Sequence, residues 1–161
     1  MTRALSAASR THGSPPPSRR MFRLYPRPPF RLDLTVWALR RRAQNAIDAW
    51  DGRSYRRALV IYGRPVAVEA TQVGPATAPR LDVTVEGQWL ASSVESSATT
   101  ALTRLLGLQI DLSSFYARAA TDRILGPLAQ RYRGLKPPRF PPLFECLLNA
   151  VPASNSHSPP G

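Results

Sequence analysis

The sequence predicts an α+β fold, in which an antiparallel β-sheet packs against helices and is followed by the first helices of an incomplete all-α domain. Three observations predict it. Apolar residues alternate with period two in the middle of the chain, the apolar period becomes helical from Ser96 onward, and short capped helices follow Leu112. Period two is typical of half-buried strands, and a period near 3.6 is typical of amphipathic helices. Strands followed by helices favour an α+β architecture.

The composition indicates one basic globular domain. The chain has 161 residues, 43% of them apolar, and a formal net charge of +12 in which Lys136 is the only lysine. Because the arginine guanidinium makes bidentate contacts with phosphate, a polyanion is the leading class of partner. The alternative is that a GC-rich genome encodes arginine in place of lysine. No apolar run is long enough to cross a bilayer, so we expect no membrane partner.

Residues 1–21 are predicted to form a disordered basic tail. The segment up to Arg20 combines Ser, Pro, Gly and Arg without any acid, and Pro15 to Pro17 would block a helix. A transit sequence is the alternative, although an amphipathic apolar face is missing. Met21, directly before the sheet domain predicted over residues 22–108, is an alternative start of the chain.

The first regular element is expected over residues 31–39, where apolar and polar residues alternate. The alternation predicts a strand that places one set of side chains on the same side. A helix over about residues 35–42 is the alternative. The set that the strand would place together comprises Leu32, Leu34, Val36 and Ala38.

Three further strands are predicted at residues 55–62, 65–71 and 80–86. The first two form a hairpin through Gly63-Arg64, where glycine supplies a positive φ. Residues 74–79 form the loop before the last strand. The inward side chains of that strand are Leu81, Val83 and Val85.

The helical part begins with a helix over about residues 93–106 that ends at Gly107. A short helix is predicted to be capped by Leu112-Ser113-Ser114, and a second one over residues 123–132 by Thr121-Asp122. Residues 134–142 form a rigid, proline-rich connector. We therefore place the start of a helical domain at residues 109–151. The apolar face of the first helix comprises Ala98, Leu102, Leu105 and Leu106.

Several of these segments carry a family resemblance that covers residues 30–151. The most specific stretch is Gly134-Leu-Lys-Pro-Pro-Arg-Phe140, together with the Phe144-Glu145 pair that follows. With residues 111–117, 124–128 and 143–150, it resembles the entry to the helical core of DNA-3-methyladenine glycosylase II. Residues 57–61 and 63–68 resemble the N-terminal domain of the same family, which belongs to the helix-hairpin-helix superfamily of base-excision glycosylases.

The resemblance implies both a fold and an activity. The family's N-terminal domain is a five-stranded antiparallel sheet with helices on one side, similar to one repeat of the TATA-binding protein, and it supports an all-helical domain. The intact enzyme flips an alkylated base out of double-stranded DNA into an aromatic-lined pocket and hydrolyses the N-glycosidic bond. A catalytic Asp acts there without a metal or cofactor. The resemblance also implies a monomer in the bacterial cytoplasm.

Few residues of this chain are candidates for contact with DNA. Trp37 lies near the position where the family's N-terminal domain supplies an aromatic residue to the base pocket, although a core tryptophan is the interpretation we favour. Arg40, Arg41 and Arg42 are candidates for phosphate contact, with a solvated strand or helix end as the alternative. His12 and His157 lie in the predicted tails and are poor candidates for catalysis or metal binding.

The chain by itself is predicted to be inactive. None of its six aspartates matches the family's catalytic position, and the helix-hairpin-helix element is missing. We therefore predict no catalytic residue and no metal site. The alternative functions are a stand-alone module, whose basic antiparallel sheet binds nucleic acid without catalysis, and a partner protein that docks its apolar helix over residues 143–148. The single cysteine, Cys146, is interpreted as a buried helical residue and suits a reducing cytoplasm.

The sequence changes character after Val151, where an apolar, helix-like run gives way to a Pro- and Ser-rich tail over residues 152–161. One nucleotide sequence that encodes residues 152–158 translates, when shifted back by one base, as Ala-Cys-Gln-Gln-Leu-Ser-Leu. That peptide resembles the family's continuation. We therefore hypothesise that a single-base deletion at Val151 interrupts the helical domain and leaves a frameshifted, disordered tail.

Overall fold

The computed structural model describes residues 16–40 and 47–139. Several predictions fall outside the described residues. They concern residues 1–15, which include His12, the arginines Arg41 and Arg42, and everything from Phe140 onward, including Cys146, His157 and the tail after Val151. The elements within them are β1 (Ser18–Leu24), α1 (Leu32–Arg40), β2 (Asp48–Trp50), β3 (Ser54–Ile61), β4 (Arg64–Val73), β5 (Arg80–Gly87), α2 (Val94–Leu105), α3 (Ser113–Ala119) and α4 (Leu125–Arg131).

The strands form one five-stranded sheet in the order β1-β5-β4-β3-β2, and each neighbouring pair is antiparallel. One face of the sheet is covered, and α1 and α2 contribute their apolar faces to the core there. The other face is open. This arrangement confirms the predicted α+β class and the five-stranded sheet that the resemblance implied. Within the described ranges, no helix is long and apolar enough to cross a membrane.

The hairpin of β3 and β4 is confirmed, but its turn lies one residue earlier than predicted. Ile61 pairs with Arg64, so the turn residues are Tyr62 and Gly63. Both have positive φ values, 52° and 72°. This is the backbone geometry of the two-residue turns whose twist matches the flanking strands.

Strand β1 extends the sheet into the segment that we predicted to be a basic tail. Its residues pair with β5 from Ser18 onward, opposite Gly87. Two ion pairs cross between the strands, Arg19 with Glu86 at 3.2 Å and Arg23 with Asp82 at 3.4 Å. Arg19 of that segment is therefore paired with an acid of the neighbouring strand, and so is Arg23, which follows the segment.

The strand predicted over residues 31–39 is wrong, and the helical alternative is correct with an earlier start. Helix α1 buries Leu32, Thr35, Val36 and Leu39. These positions have the spacing of one helix face. In a segment of only nine residues, the apolar pattern fits that spacing almost as well as it fits the alternation of a strand. The Thr35 hydroxyl donates a hydrogen bond to the Arg31 carbonyl at 2.9 Å, within the same turn.

The short edge strand β2 was not predicted, and it carries a buried ion pair. Arg57 Nη1 donates to Asp48 Oδ1 at 2.9 Å, and the Tyr55 hydroxyl donates to the same oxygen at 2.6 Å. Burial, followed by the nearby Asp48 charge, raises the pKa of Tyr55. The three side chains join β2 to β3 on the covered face of the sheet.

The helical segment after α2 returns to the sheet domain. Leu105 at the end of α2 accepts a hydrogen bond from the Arg139 amide at 3.1 Å, and Gly107 (φ 60°) follows at the turn. Lys136 is buried, and its Nζ donates to the Ile110 carbonyl at 2.6 Å. Burial lowers the pKa of this lysine.

Aspartates cap the two short helices. Leu112, the first residue of the predicted cap, is the N-cap of α3, but the side-chain bond comes from Asp111 and not from the serines, because Asp111 Oδ1 accepts a hydrogen bond from the Ser113 amide at 2.9 Å. The predicted Asp122 cap is confirmed, because its Oδ1 accepts bonds from the amides of Ile124 and Leu125, both at 2.8 Å. Each carboxylate thus satisfies amides that the first helical turn leaves unpaired.

Candidate nucleic-acid surface

Trp37 lies on the surface, not in the core that we favoured for it. It is 63% exposed. Helix α1 turns Leu32, Val36 and Leu39 inward and leaves Trp37 on its outer face. An exposed tryptophan of this kind is available for contact with another molecule.

Trp37 stacks on Tyr132, which follows the last described helix. Their ring centroids are 5.9 Å apart and the rings are inclined by only 10°. Two hydrogen bonds between the residues around the start of α1 and the chain after Tyr132 position this tyrosine. The Arg31 amide donates to the Gly134 carbonyl at 2.7 Å, and the Lys136 amide donates to Thr35 Oγ1 at 3.1 Å. The chain after α4 is thereby fixed along α1.

One arginine contacts the aromatic pair, since Arg131 Cζ lies 5.7 Å from the centroid of the Tyr132 ring. A second, half-buried Arg40, ends α1 one helical turn after Trp37. Exposed rings next to guanidinium groups can stack on a base and contact phosphate. We call Trp37, Arg40, Arg131 and Tyr132 the Trp37 surface. Of the predicted arginines, the structure places only Arg40 here, since Arg41 and Arg42 lie outside the described residues.

The positive charge is unevenly distributed between the two sides of the molecule. Residues 113–139 contain six basic residues and one acidic residue, a net charge of +5. Among the described residues, no acid lies within ion-pair distance of Arg118, Arg123, Arg131 or Arg133 in this segment. The potential of the protein therefore favours an anion on the helical side.

The open face of the sheet, in contrast, has its charges paired. Its ion pairs have nitrogen to oxygen distances between 3.0 and 3.4 Å. The paired residues alternate along the strands with small or apolar side chains. Such a face offers little net charge to a polyanion. The ion pairs are Arg19 with Glu86, Arg23 with Asp82, Arg56 with Glu69, and Arg80 with Asp82.

All six aspartates have partners within the protein. Asp48 is buried against Arg57, and Asp51, Asp111 and Asp122 accept backbone hydrogen bonds that lower the pKa of each. The other two, Asp33 and Asp82, pair with Arg31 and with Arg23 and Arg80, respectively. Each carboxylate is therefore engaged in an ion pair, a turn or a helix start. Over residues 16–40 and 47–139, no cluster of three metal-ligating side chains is found.

Sequence reasoning missed Arg131 and Tyr132. The available signal was the run Arg131-Tyr-Arg133, an aromatic residue between two arginines. Arg133 also stacks, with its Cζ 4.7 Å from the centroid of the Tyr116 ring. Basic residues interleaved with aromatic ones are typical of surfaces that bind nucleic acid.

Comparisons with known proteins are consistent with this architecture. A family model described as the AlkA N-terminal domain matches residues 21–141. Among solved structures, the chain is similar to a 3-methyladenine DNA glycosylase from Archaeoglobus fulgidus, with 23% identity and a TM-score of 0.54. The match covers 70% of this chain and 36% of that chain, so this chain spans about a third of that protein's length. No curated protein matches.

Proposed function

Because the chain belongs to the AlkA N-terminal domain family, we propose that it forms the N-terminal part of a DNA glycosylase that removes alkylated bases from double-stranded DNA. The match over residues 21–141 is the observation that carries this proposal. It includes the sheet domain and the helical segment up to the connector. The archaeal glycosylase of similar fold supports the assignment.

In this proposal the sheet domain holds the beginning of a helical domain in place. Two hydrogen bonds at the start of α1 do so: the Arg31 amide donates to the Gly134 carbonyl, and the Lys136 amide donates to Thr35 Oγ1. Buried Lys136 adds its bond to the Ile110 carbonyl. Because these contacts lie between parts far apart in sequence, the helices that follow would start from a fixed position and direction.

The Trp37 surface is proposed to contact the DNA. Arg131 and Arg40 would meet the phosphates, because cations close to the duplex displace its condensed counterions. The stacked rings of Trp37 and Tyr132 would lie beside the distorted strand. Support comes from the exposure of Trp37 and from the unpaired charge of the helical segment.

Catalysis is proposed to need residues beyond this chain. A glycosylase of this kind uses an aspartate, and all six aspartates here serve helix caps, turns or ion pairs. The proposal further includes a monomer in the cytoplasm, acting without a metal or cofactor. The single cysteine of the sequence is compatible with a reducing compartment.

A stand-alone module that binds nucleic acid is the second candidate function. The observation that favours it is the net charge of +5 over residues 113–139. A module of this kind would bind nucleic acid through its helices, because the arginines of the open sheet face are paired with acids. This differs from the basic sheet that we first considered for such a module.

The test compares the purified chain with the Archaeoglobus glycosylase on duplex DNA treated with a methylating agent. We expect the chain to bind the duplex in the micromolar range, with an affinity that falls steeply as salt rises, and to release no base. Base release by the chain alone would overturn the proposal that catalysis needs further residues. Absence of binding at low salt would overturn both candidate functions.

A further inference from the structure

An aromatic cleft lies between the turn of the β3 and β4 hairpin and the loop from β5 to α2. It has a volume of about 690 Å³ and opens to solvent. Its floor is apolar, formed by Ile61, Val66 and Leu90. Tyr62 and Trp89 line its sides, and they are 67% and 68% exposed.

Tyr62 occupies a backbone conformation that its residue type avoids. Its φ is 52°, and it is the only non-glycine residue with a positive φ in the described part of the chain. Asn, Asp or Gly is normally found at this position of a two-residue hairpin turn, because other side chains are strained there. Strain that persists in a surface turn is a reason to look for a function of the side chain.

The Tyr62 ring is also held in position from the helix side. Ser97 Oγ donates a hydrogen bond to the Tyr62 hydroxyl at 3.1 Å. The bonds from Ser93 and Ser97 lower the pKa of this phenol. Ser97 belongs to α2, so the ring is fixed between the hairpin and the helix and stands at the side of the cleft before any ligand arrives.

The charge of the cleft indicates an anionic ligand. Arg64 is the charged residue that lines it, and no acid does. Among the described residues, Arg64 has no ion-pair partner. A flat apolar group carrying a negative charge fits two exposed rings, an apolar floor and one guanidinium.

We propose that this cleft binds an unpaired nucleotide of single-stranded nucleic acid, with the base against Tyr62 and Trp89 and its phosphate on Arg64. The chain's charge of +12 favours a nucleic acid over an apolar peptide, whose binding the cleft would otherwise allow. Stacking on exposed rings tolerates any base. The site is separate from the Trp37 surface, and its existence does not depend on glycosylase function.

The test measures binding of the full 161-residue chain to a single-stranded oligothymidylate and to an abasic oligomer of equal length and charge. Both oligomers attract the basic protein, but only the first can stack. We expect the oligothymidylate to bind more tightly. Trp89→Ala should reduce its affinity by about 5- to 150-fold, the range for loss of one stacked base, and should leave the affinity for the abasic oligomer unchanged.

Tyr62→Asn separates function from stability, because Asn tolerates positive φ. We expect this variant to lose affinity for the oligothymidylate while its thermal unfolding midpoint is unchanged or higher. Tyr25→Asn, at a tyrosine that is 66% exposed elsewhere, is the matched control and should bind normally. Two results would overturn the proposal and leave a protein partner as the occupant. One is equal binding of both oligomers by the wild type. The other is wild-type affinity for the oligothymidylate in both Trp89→Ala and Tyr62→Asn.

Discussion

The indole of Trp37 lies nearly parallel to the ring of Tyr132, with centroids 5.9 Å apart. One ring comes from the first helix and the other from the residue after the last described helix. The contact therefore joins the sheet domain to the helical segment, and it does so on the surface. Our proposal of a DNA contact depends on this position, since a core tryptophan could not reach a ligand.

Trp37→Ala is expected to weaken binding to duplex DNA by more than about 5-fold, because truncation of an aromatic anchor costs more than about 1 kcal/mol. Stability should fall by no more than about 0.5–1.5 kcal/mol, the contribution of one aromatic pair. Fluorescence anisotropy with a labelled duplex and urea unfolding measure the two effects. Tyr25→Ala is the control, at an aromatic residue that is exposed outside both proposed surfaces, and equal duplex affinity of the two variants would contradict the assignment.

Arg131→Gln and Arg56→Gln test where the polyanion binds. Arg131 lies over the Tyr132 ring, whereas Arg56 is paired with Glu69 on the open face. We expect Arg131→Gln to lower the affinity for duplex DNA and to reduce the slope of log K against log salt by about 1, the loss of one phosphate contact. Arg56→Gln should leave the slope unchanged. A reversed result would place the DNA on the sheet.

Arg57→Leu is expected to destabilise the fold strongly, in contrast to Arg56→Leu next to it. Arg57 is buried and bonded to Asp48, so its loss leaves a carboxylate inside the protein without this cation, at a cost of about 3–5 kcal/mol. Arg56 is paired at the surface, and its replacement should change stability little. Urea unfolding of both variants checks this, and similar losses would show that the buried pair has no special role.

Acid is expected to destabilise the protein in part through Asp122. The amides of Leu125 and Ile124 hold the pKa of this carboxyl below its ordinary value of 3.8. A lowered pKa in the folded state means that the stabilisation is complete above pH 3.8 and is lost as the pH falls through the folded-state pKa. Asp122→Asn should therefore show a smaller drop in stability between pH 7 and pH 2 than the wild type.

Gly107→Ala should destabilise the protein more than Gly52→Ala. Both glycines have positive φ, 60° and 97°, so both substitutions incur about 1–2 kcal/mol of backbone strain. A Cβ at Gly107 would also lie 2.9 Å from the Pro137 carbonyl oxygen, whereas one at Gly52 meets nothing within 4 Å. Thermal unfolding compares the two. Equal losses would indicate that the connector yields freely at Pro137.

The parts of the fold with one dominant apolar period were predictable. Strand β5 and helix α2 are long enough for Leu81, Val83 and Val85, or Ala98 and Leu102, to define a face. Helix α1 was not, because nine residues fit both periods. Strand β2 was missed because a charged residue, Asp48, occupies a buried position, and its partner Arg57 comes from another strand.

The candidate site was only half predictable. Trp37 and Arg40 were identified from the sequence, although the exposure of Trp37 was not. Tyr132 and Arg131 reach the same surface only because the chain after α4 returns to α1 through Gly134 and Lys136. Such a long-range contact leaves no period in the sequence, so single-sequence reasoning could not place the two segments together.

A chimera in which this chain replaces the matching N-terminal part of the Archaeoglobus glycosylase tests whether the chain serves as the N-terminal part of a DNA glycosylase. Release of methylated bases from duplex DNA is measured after circular dichroism has established that the chimera is folded. We expect the chimera to release base and the isolated chain to release none. A folded chimera that binds duplex DNA but releases no base would show that the chain does not serve as this part of a glycosylase and would favour a stand-alone binding module.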